Sequence, residues 1–229
     1  MPHAVDHHAI LDKLAATRGG ARNAFAEIDP RRTAHLVIDM QNGFMEPGAP
    51  VEVPAARGVV DNINRISRAV RESGGLNVFV RFTTPDGDAP AWPVLMDRMA
   101  GGAEGHRKAF TRGEHYWQLW PALELESGDV EVEKVRFSAF TPGASGLDAL
   151  LRERGIDTVT VTGTLTNCCC ESTARDAMQL NYRVLIAADA NAALTDEEHA
   201  ATLHTMAFVF ADLYSTDELV GRLKAPVAA

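Results

Sequence analysis

Cysteine is scarce, with three residues in 229, and they stand side by side as Cys168, Cys169 and Cys170. Neighbours cannot frame a set of disulfides, and the CxxC spacing of a zinc site is missing. Basic residues are outnumbered, 22 Lys and Arg against 31 Asp and Glu, giving a formal net charge of −9. A chain this acidic repels nucleic-acid phosphates and anionic membrane surfaces, so neither is expected as a partner. No apolar run approaches the roughly 18 residues of a membrane span. The opening stretch MPHAVDHHAILDKLAATRGG puts His and Asp where a secretory signal needs a basic start and an apolar centre, and a cytoplasmic location is expected. GxGxxG, GxxxxGK[ST] and HExxH are all missing, and Gly143-Ala144-Ser145-Gly146 lacks the spacing of a nucleophile elbow. His199 and His204 stand five residues apart, off any shared helical face, and are expected on a solvated helix surface.

What is present is the composition of one globular domain: 46% hydrophobic and 23% charged residues in a length that suits a single large core. Residues 1–32 read as a polar extension with a short helical pattern around Ala9 to Ala16, expected to pack outside the domain or on another subunit; residues 33–229 form the domain. Apolar runs at Ala34 to Ile38, Leu76 to Phe82, Val130 to Val132, Thr158 to Thr162 and Val184 to Ala188 predict buried strands. Val59, Ile63, Ile66 and Val70, then Leu147, Leu150 and Leu151, then Cys170, Ala174, Ala177 and Met178 mark helices between them. This alternation predicts a three-layer αβα fold around a central, mostly parallel sheet. The segment Thr83 to Leu125 breaks the rhythm with four Pro, Trp92, Trp117, Trp120 and Tyr116, as a substrate wall or a packed loop does.

Three reactive side chains fall at comparable points. Asp39 closes the first strand, Lys134 the third, and the cysteine run follows the fourth. The carboxyl ends of parallel strands converge on one crevice, so an acid, an amine and a thiol are expected to meet there. Helical spacing turns Cys170 into the core with Ala174 and Ala177. Cys169, in a row with Ser172, Thr173 and Asp176, is left looking over the sheet end, with Cys168 the second candidate. A helix start and a nearby Lys134 ammonium favour thiolate there. Two readings follow: a covalent enzyme, or a non-enzymatic redox or metal-sensing module built on the cysteine cluster.

The phrases Leu36-Val37-Ile38-Asp39-Met40-Gln41-Asn42-Gly43-Phe44, Glu133-Lys134-Val135-Arg136-Phe137-Ser138-Ala139-Phe140 and Thr162-Gly163-Thr164-Leu165-Thr166-Asn167-Cys168-Cys169-Cys170-Glu171-Ser172-Thr173 resemble the isochorismatase-like cysteine hydrolases, in order and spacing from about Thr33 to Leu223. The resemblance implies the Rossmann-like fold of that family, with Asp39, Lys134 and Cys169 as catalytic residues. It also implies a cis Thr164–Leu165 peptide, with the Leu165 and Cys169 N–H groups as oxyanion hole. True isochorismatases lack the cysteine, so Cys169 points to hydrolysis of a C–N bond through a thioester. Nicotinamidases carry an Asp-x-His metal motif where Arg81 to Asp88 here has no His, so no metal and no cofactor are expected. Family members are commonly dimers or tetramers. A homo-oligomer is expected, with contacts through the loop carrying Trp92 to Met99 and Tyr116 to Trp120.

The partner is expected to be a small amide. Phe44 and the aromatics Trp92, Tyr116 and Trp117 are expected to close the crevice. Gln41, Arg81 and Arg136 lie near strand ends, where an Arg favours carboxylated or carbamoylated amides over plain nicotinamide.

Overall fold

The computed structural model describes residues 3–25, 27–86, 92–99 and 102–225. Strands β1 (Thr33–Ile38) and β4 (Thr158–Thr164) are buried at every position, a pattern that needs helices over both faces of the sheet. The chain supplies them in alternation. Helix α1 (His7–Ala15) precedes β1, and α2 (Asn42–Met45) and α3 (Val60–Glu72) follow it. Then come β2 (Leu76–Phe82), α4 (Pro93–Met99), α5 (Ala103–Ala109), β3 (Val130–Lys134), α6 (Leu147–Glu153), and β4 with a π-helical turn over Thr166–Cys170. The chain continues through α7 (Glu171–Gln179), β5 (Arg183–Ala192), α8 (Asp196–Thr205), β6 (Asp212–Tyr214) and α9 (Thr216–Lys224).

All six strands are parallel, in the order β3-β2-β1-β4-β5-β6. The direction of winding reverses between β1 and β4, and a parallel sheet opens its crevice at the carboxyl edge of that pair. Alternation along β1 divides the core: Ala34, Leu36 and Ile38 face the layer that holds Cys170, Ala174 and Leu151, while Val37 faces α3 through Ile63 and Ile66. Strand β6, three residues long, is too short to register as a period-2 or apolar run, and the sequence reading has no strand there.

Two expectations change. Met178 is 37% exposed, although Cys170, Ala174 and Ala177 are buried. The other three keep the helical period, and Met178 stands at the edge of their stripe, in the last turn of α7. The extension's helix α1 packs Ile10 and Leu11 into the core of its own chain. The aromatic excursion lies as a packed loop, with Trp92, Tyr116, Leu119 and Trp120 against the α3-side core. Backbone bonds from Trp120 N–H to Met40 O (2.8 Å) and from Asn42 N–H to Gln118 O (2.8 Å) stitch it to the loop after β1.

Two buried histidines sit in this frame as neutral rings. His35, on β1, contacts Asn77 Oδ1 (3.2 Å), Ser67 Oγ (3.3 Å) and Thr162 Oγ1 (2.8 Å). His106 lies between the rings of Phe82 and Phe110, and its Nδ1 has no partner. Burial pushes both down to about 4. A folded-state value below the unfolded 6.5 means that the unfolded chain takes up protons first. Stability is therefore full above pH 6.5 and declines as the pH falls toward about 4. His106→Phe, which keeps a ring and removes the titrating group, is expected to flatten that decline in urea unfolding followed across this pH range.

Gly163 marks the closest approach in the sheet. Its φ is +118°, and a Cβ there would lie 2.1 Å from the Ile38 carbonyl oxygen. Immediately before it, the β4–β5 register jumps from Val161↔Ile186 to Gly163↔Asn191. The Asn191 amide fills the bulge, donating to Val161 O (3.0 Å) and Ala187 O (2.7 Å). Gly163→Ala is expected to cost on the order of 3 kcal/mol, measured by urea denaturation, because the clash is with backbone that cannot step aside.

Candidate active site

Asp39 is the first residue after β1, and its N–H still donates to Val80 O (2.9 Å). It has φ +53°, a left-handed conformation that Asp tolerates better than most residues, which turns the chain away from the strand at the carboxyl edge. Lys134 ends β3, two strands away. Its ammonium crosses the end of β2 to reach Asp39 Oδ2 at 2.7 Å and Arg136 O at 3.1 Å, 5.0 Å from the centre of the Phe82 ring. Both residues are fully buried, and Cys169, on the π-turn after β4, is 4% exposed. The Cys169 thiol lies beside both groups, and Asp39 Oδ1 has no other protein partner. The expected meeting of acid, amine and thiol is therefore observed. Leu165 opens the π-turn, and the Thr164–Leu165 peptide is cis.

The electrostatics differ from the expectation of a resting thiolate. The contact with Cys168, burial and the Asp39 charge together push the Cys169 thiol up, and the Lys134 ammonium offsets only part of this. Burial likewise raises Asp39, with Lys134 as the opposing influence. Burial works against the Lys134 charge, yet Asp39 and Cys169 outweigh it and hold the ammonium above its ordinary value. The contact between the two neighbouring thiols acts in opposite directions on them, lowering Cys168 and raising Cys169.

The surrounding candidates divide. Gln41 is a brace: its amide N–H groups donate to Phe82 O (3.0 Å) and Trp117 O (2.9 Å), and its Oε1 accepts from Phe82 N–H (2.7 Å). Phe44 is a core residue stacked on Phe110 at 4.8 Å rather than a cover over the crevice. Trp117 donates to Thr83 Oγ1 (2.9 Å) and carries the Arg81 guanidinium over its ring at 4.3 Å, while Arg81 pairs with Glu131. Tyr116 faces a separate hollow with Pro50 and Lys108. Trp92 and Arg136 do come together, the guanidinium 5.0 Å from the ring, in a cleft of about 450 Å³ shared with Ser138, Arg175 and Asp176. Trp92 also walls an apolar pocket of about 300 Å³ with Phe82, Leu95, Met96 and His106. Phe82, whose ring lies against the Lys134 ammonium, connects that pocket to the buried pair. Of the stretch Arg81 to Asp88, Gly87 and Asp88 lie outside the described residues.

His199 is not on a solvated surface. It is 1% exposed, and its Nε2 lies 3.1 Å from Ala188 O, which can only accept. Nδ1 is therefore left to accept from the Thr166 hydroxyl at 2.8 Å, on the turn that carries Cys169. His3 stacks on the far side of the ring, centroids 4.4 Å apart. Burial pushes His199 down to about 4. Nothing in the local sequence announces this support, because Thr166 and His199 meet only when α8 folds back over the turn.

Fold and site together define an α/β protein with a continuous parallel sheet and an acid, an amine and a thiol gathered at its carboxyl edge. The chain belongs to the isochorismatase domain family, whose model matches residues 33–218. It is 34% identical over 200 residues to the uncharacterized isochorismatase family protein YwoC of Bacillus subtilis, covering 86% of this chain and 97% of that protein. It is 32% identical over 177 residues to the ureidoacrylate amidohydrolase RutB of Caulobacter vibrioides, covering 71% and 78%. Among solved structures, a cysteine hydrolase from Pseudomonas syringae pv. phaseolicola superposes with a TM-score of 0.80 at 30% identity, covering 88% of this chain and 97% of the other.

The buried pair makes a stability prediction. Lys134→Met strands the Asp39 carboxylate without its partner and is expected to cost on the order of 3 kcal/mol. Adding Asp39→Asn removes the remaining charge, and Asn also suits the left-handed backbone. The double variant is expected to recover most of the loss in urea denaturation, and failure to recover would mean that Lys134 stabilises through packing alone.

Proposed function

We propose that the chain is a cysteine amidohydrolase cleaving a C–N bond, other than a peptide bond, in a small amide or carbamoyl or ureido compound through a thioester. The observation that carries this is the buried Lys134–Asp39 contact at 2.7 Å with the Cys169 thiol beside it and one carboxylate oxygen unpartnered. Asp39 acts first as base, taking the Cys169 proton as sulfur attacks the carbonyl carbon. The Leu165 and Cys169 N–H groups hold the resulting oxyanion. Protonated Asp39 passes its proton to the departing nitrogen, the C–N bond breaks, and a thioester remains. A water then attacks the thioester carbonyl and gives its proton to Asp39. Collapse expels the sulfur, which recovers that proton. Lys134 stays charged throughout, orienting the carboxylate and balancing the thiolate as it forms. A redox sensor has no use for a carboxylate so placed, and the enzymatic reading is preferred.

Substrate preference follows from the cleft beside Trp92. Arg136 and Ser138 line it and suit a carboxylate or a carbonyl-rich group, beside the Asp176 carboxylate and an Arg175 that pairs with Glu171 at 2.6 Å. The RutB relative's ureidoacrylate carries both. Carboxylated or carbamoylated amides are therefore the proposed substrates in preference to nicotinamide.

The test is a panel of ureidoacrylate, maleamate, carbamoylsarcosine and nicotinamide with three proteins. Cys169→Ala is expected to lose on the order of 10³-fold or more in kcat on whichever amide wild type cleaves. Cys168→Ala is expected to stay within about tenfold, since Cys168 makes no bond to the substrate in this scheme. Mass spectrometry of a quenched reaction should find the acyl adduct on Cys169. Substantial hydrolysis by Cys169→Ala would overturn the covalent mechanism, and nicotinamide as the best substrate would overturn the preference.

A further inference from the structure

The N-terminal extension meets the last helix at a cluster that hydrolysis does not use. Among the described residues, His7, His8 and Glu218 each offer one ligand atom, and these atoms all lie within 4.8 Å of one another. Asp6 caps α1, its carboxylate accepting from Ala9 N–H (3.2 Å), so both imidazoles fall in the first turn, with rings 4.1 Å apart. Glu218 stands in the first turn of α9 and faces them. His7 Nε2 is 3.2 Å from Glu218 Oε2, and His8 Nδ1 is 3.9 Å from Glu218 Oε1.

We propose that His7, His8 and Glu218 form a binding site for a divalent transition cation of the zinc, cobalt or nickel class, which clamps α1 to α9. Three observations carry it. The His8 Nδ1 atom is buried without a hydrogen-bond partner, as a ligand atom awaiting its ion is. The Glu218 carboxylate divides its work: Oε2 accepts from Ser215 N–H (2.7 Å) and Ser215 Oγ (3.0 Å), and Oε1 is turned toward His8. Such outer hydrogen bonds are what orient a ligating carboxylate. Glu218 also lines an open groove of about 760 Å³ with Arg22, Asn23, Tyr214 and Arg222, so the carboxylate is reachable from solvent.

The donor set selects the ion. Two imidazoles and one carboxylate suit zinc, cobalt and nickel and do not suit magnesium or calcium, which take oxygen ligands. Tetrahedral bonds of about 2.0 to 2.2 Å place ligand atoms roughly 3.4 Å apart. The His8 Nδ1–Glu218 Oε1 spacing of 3.9 Å is close to this, and His8, whose side chain is 44% exposed, has room to close the remainder beside the buried His7. Both helices present their positive ends here, but the fractional charge of a helix start is weak beside three ligand bonds.

The experiment is titration of the full, untagged chain with cobalt(II), followed by visible absorption and by calorimetry, with zinc(II) as competitor. One ion per chain is expected, with d–d bands and no thiolate-to-cobalt charge transfer, since Cys168 and Cys169 are the competing site. His8→Ala, at a residue with a half-exposed side chain, is expected to weaken binding at least tenfold with unchanged far-ultraviolet circular dichroism. Glu218→Gln, which keeps an acceptor for Ser215, is expected to do the same. Zinc should raise the thermal midpoint of wild type and leave that of His8→Ala unmoved. No binding by wild type, equal affinity in both variants, or a thiolate charge-transfer band as the only signal would each overturn the site and leave a His7–Glu218 ion pair in its place.

Discussion

The contact between Lys134 and Asp39 is the constraint on which the rest of the site depends. A lysine and an aspartate, both without solvent exposure, hold each other at 2.7 Å across the end of an intervening strand. Neither could be buried alone, because each would neutralise or unfold its surroundings. The pair is tolerated because the sheet leaves no choice of partner. Register places Arg81 opposite Glu133 and Phe82 opposite Lys134, so the lysine emerges past the Phe82 ring with Asp39 in front of it. The left-handed turn at Asp39 completes the meeting, and the Gln41 brace locks it by tying that turn to Phe82 and Trp117.

From that pair follows the protonation state of the third member. A thiol set in a buried site beside a carboxylate gains little from ionising before the reaction, even with an ammonium near, since the cation is already engaged by the acid. The positive start of a helix does not reverse this, because its contribution is small beside desolvation. In the proposed mechanism the thiolate needs to exist only as the new bond forms, and an Asp39 raised by burial suits the taking and release of that proton.

The parts of this structure that local pattern encodes were legible in the sequence: buried strand runs, the α3 and α6 stripes, and reactive residues at three strand ends. The sheet edge gathers those ends, so Asp39, Lys134 and Cys169 could be placed before any side-chain geometry was known. What escaped depends on long-range or non-repeating geometry. Met178 is exposed at the edge of its stripe in the last turn of α7, because spacing marks a face and not how far the layer covering it extends. His199 supports the nucleophile turn through Thr166, 33 residues away, with no spacing rule to connect them. Gln41 and Phe44 were close to the right place but serve the scaffold, because adjacency to a strand end does not reveal which way a side chain turns or what meets it there.

That division separates chemistry from recognition in the fold. The acid, the amine and the thiol are held by strand ends, a backbone bulge at Gly163 and buried hydrogen bonds, none of which can shift without disturbing the core. The residues lining the neighbouring cleft come from elsewhere: Trp92 from the excursion, Arg136 and Ser138 from the loop after β3, Arg175 and Asp176 from the outer side of α7. Loops and helix surfaces tolerate substitution far better than sheet edges do. One rigid site can thus serve different amides as its wall changes, and family membership speaks for the reaction more strongly than for the substrate. Differences in substrate between such chains are accordingly to be sought in cleft residues such as Trp92 and Arg136 before the acid, amine and thiol.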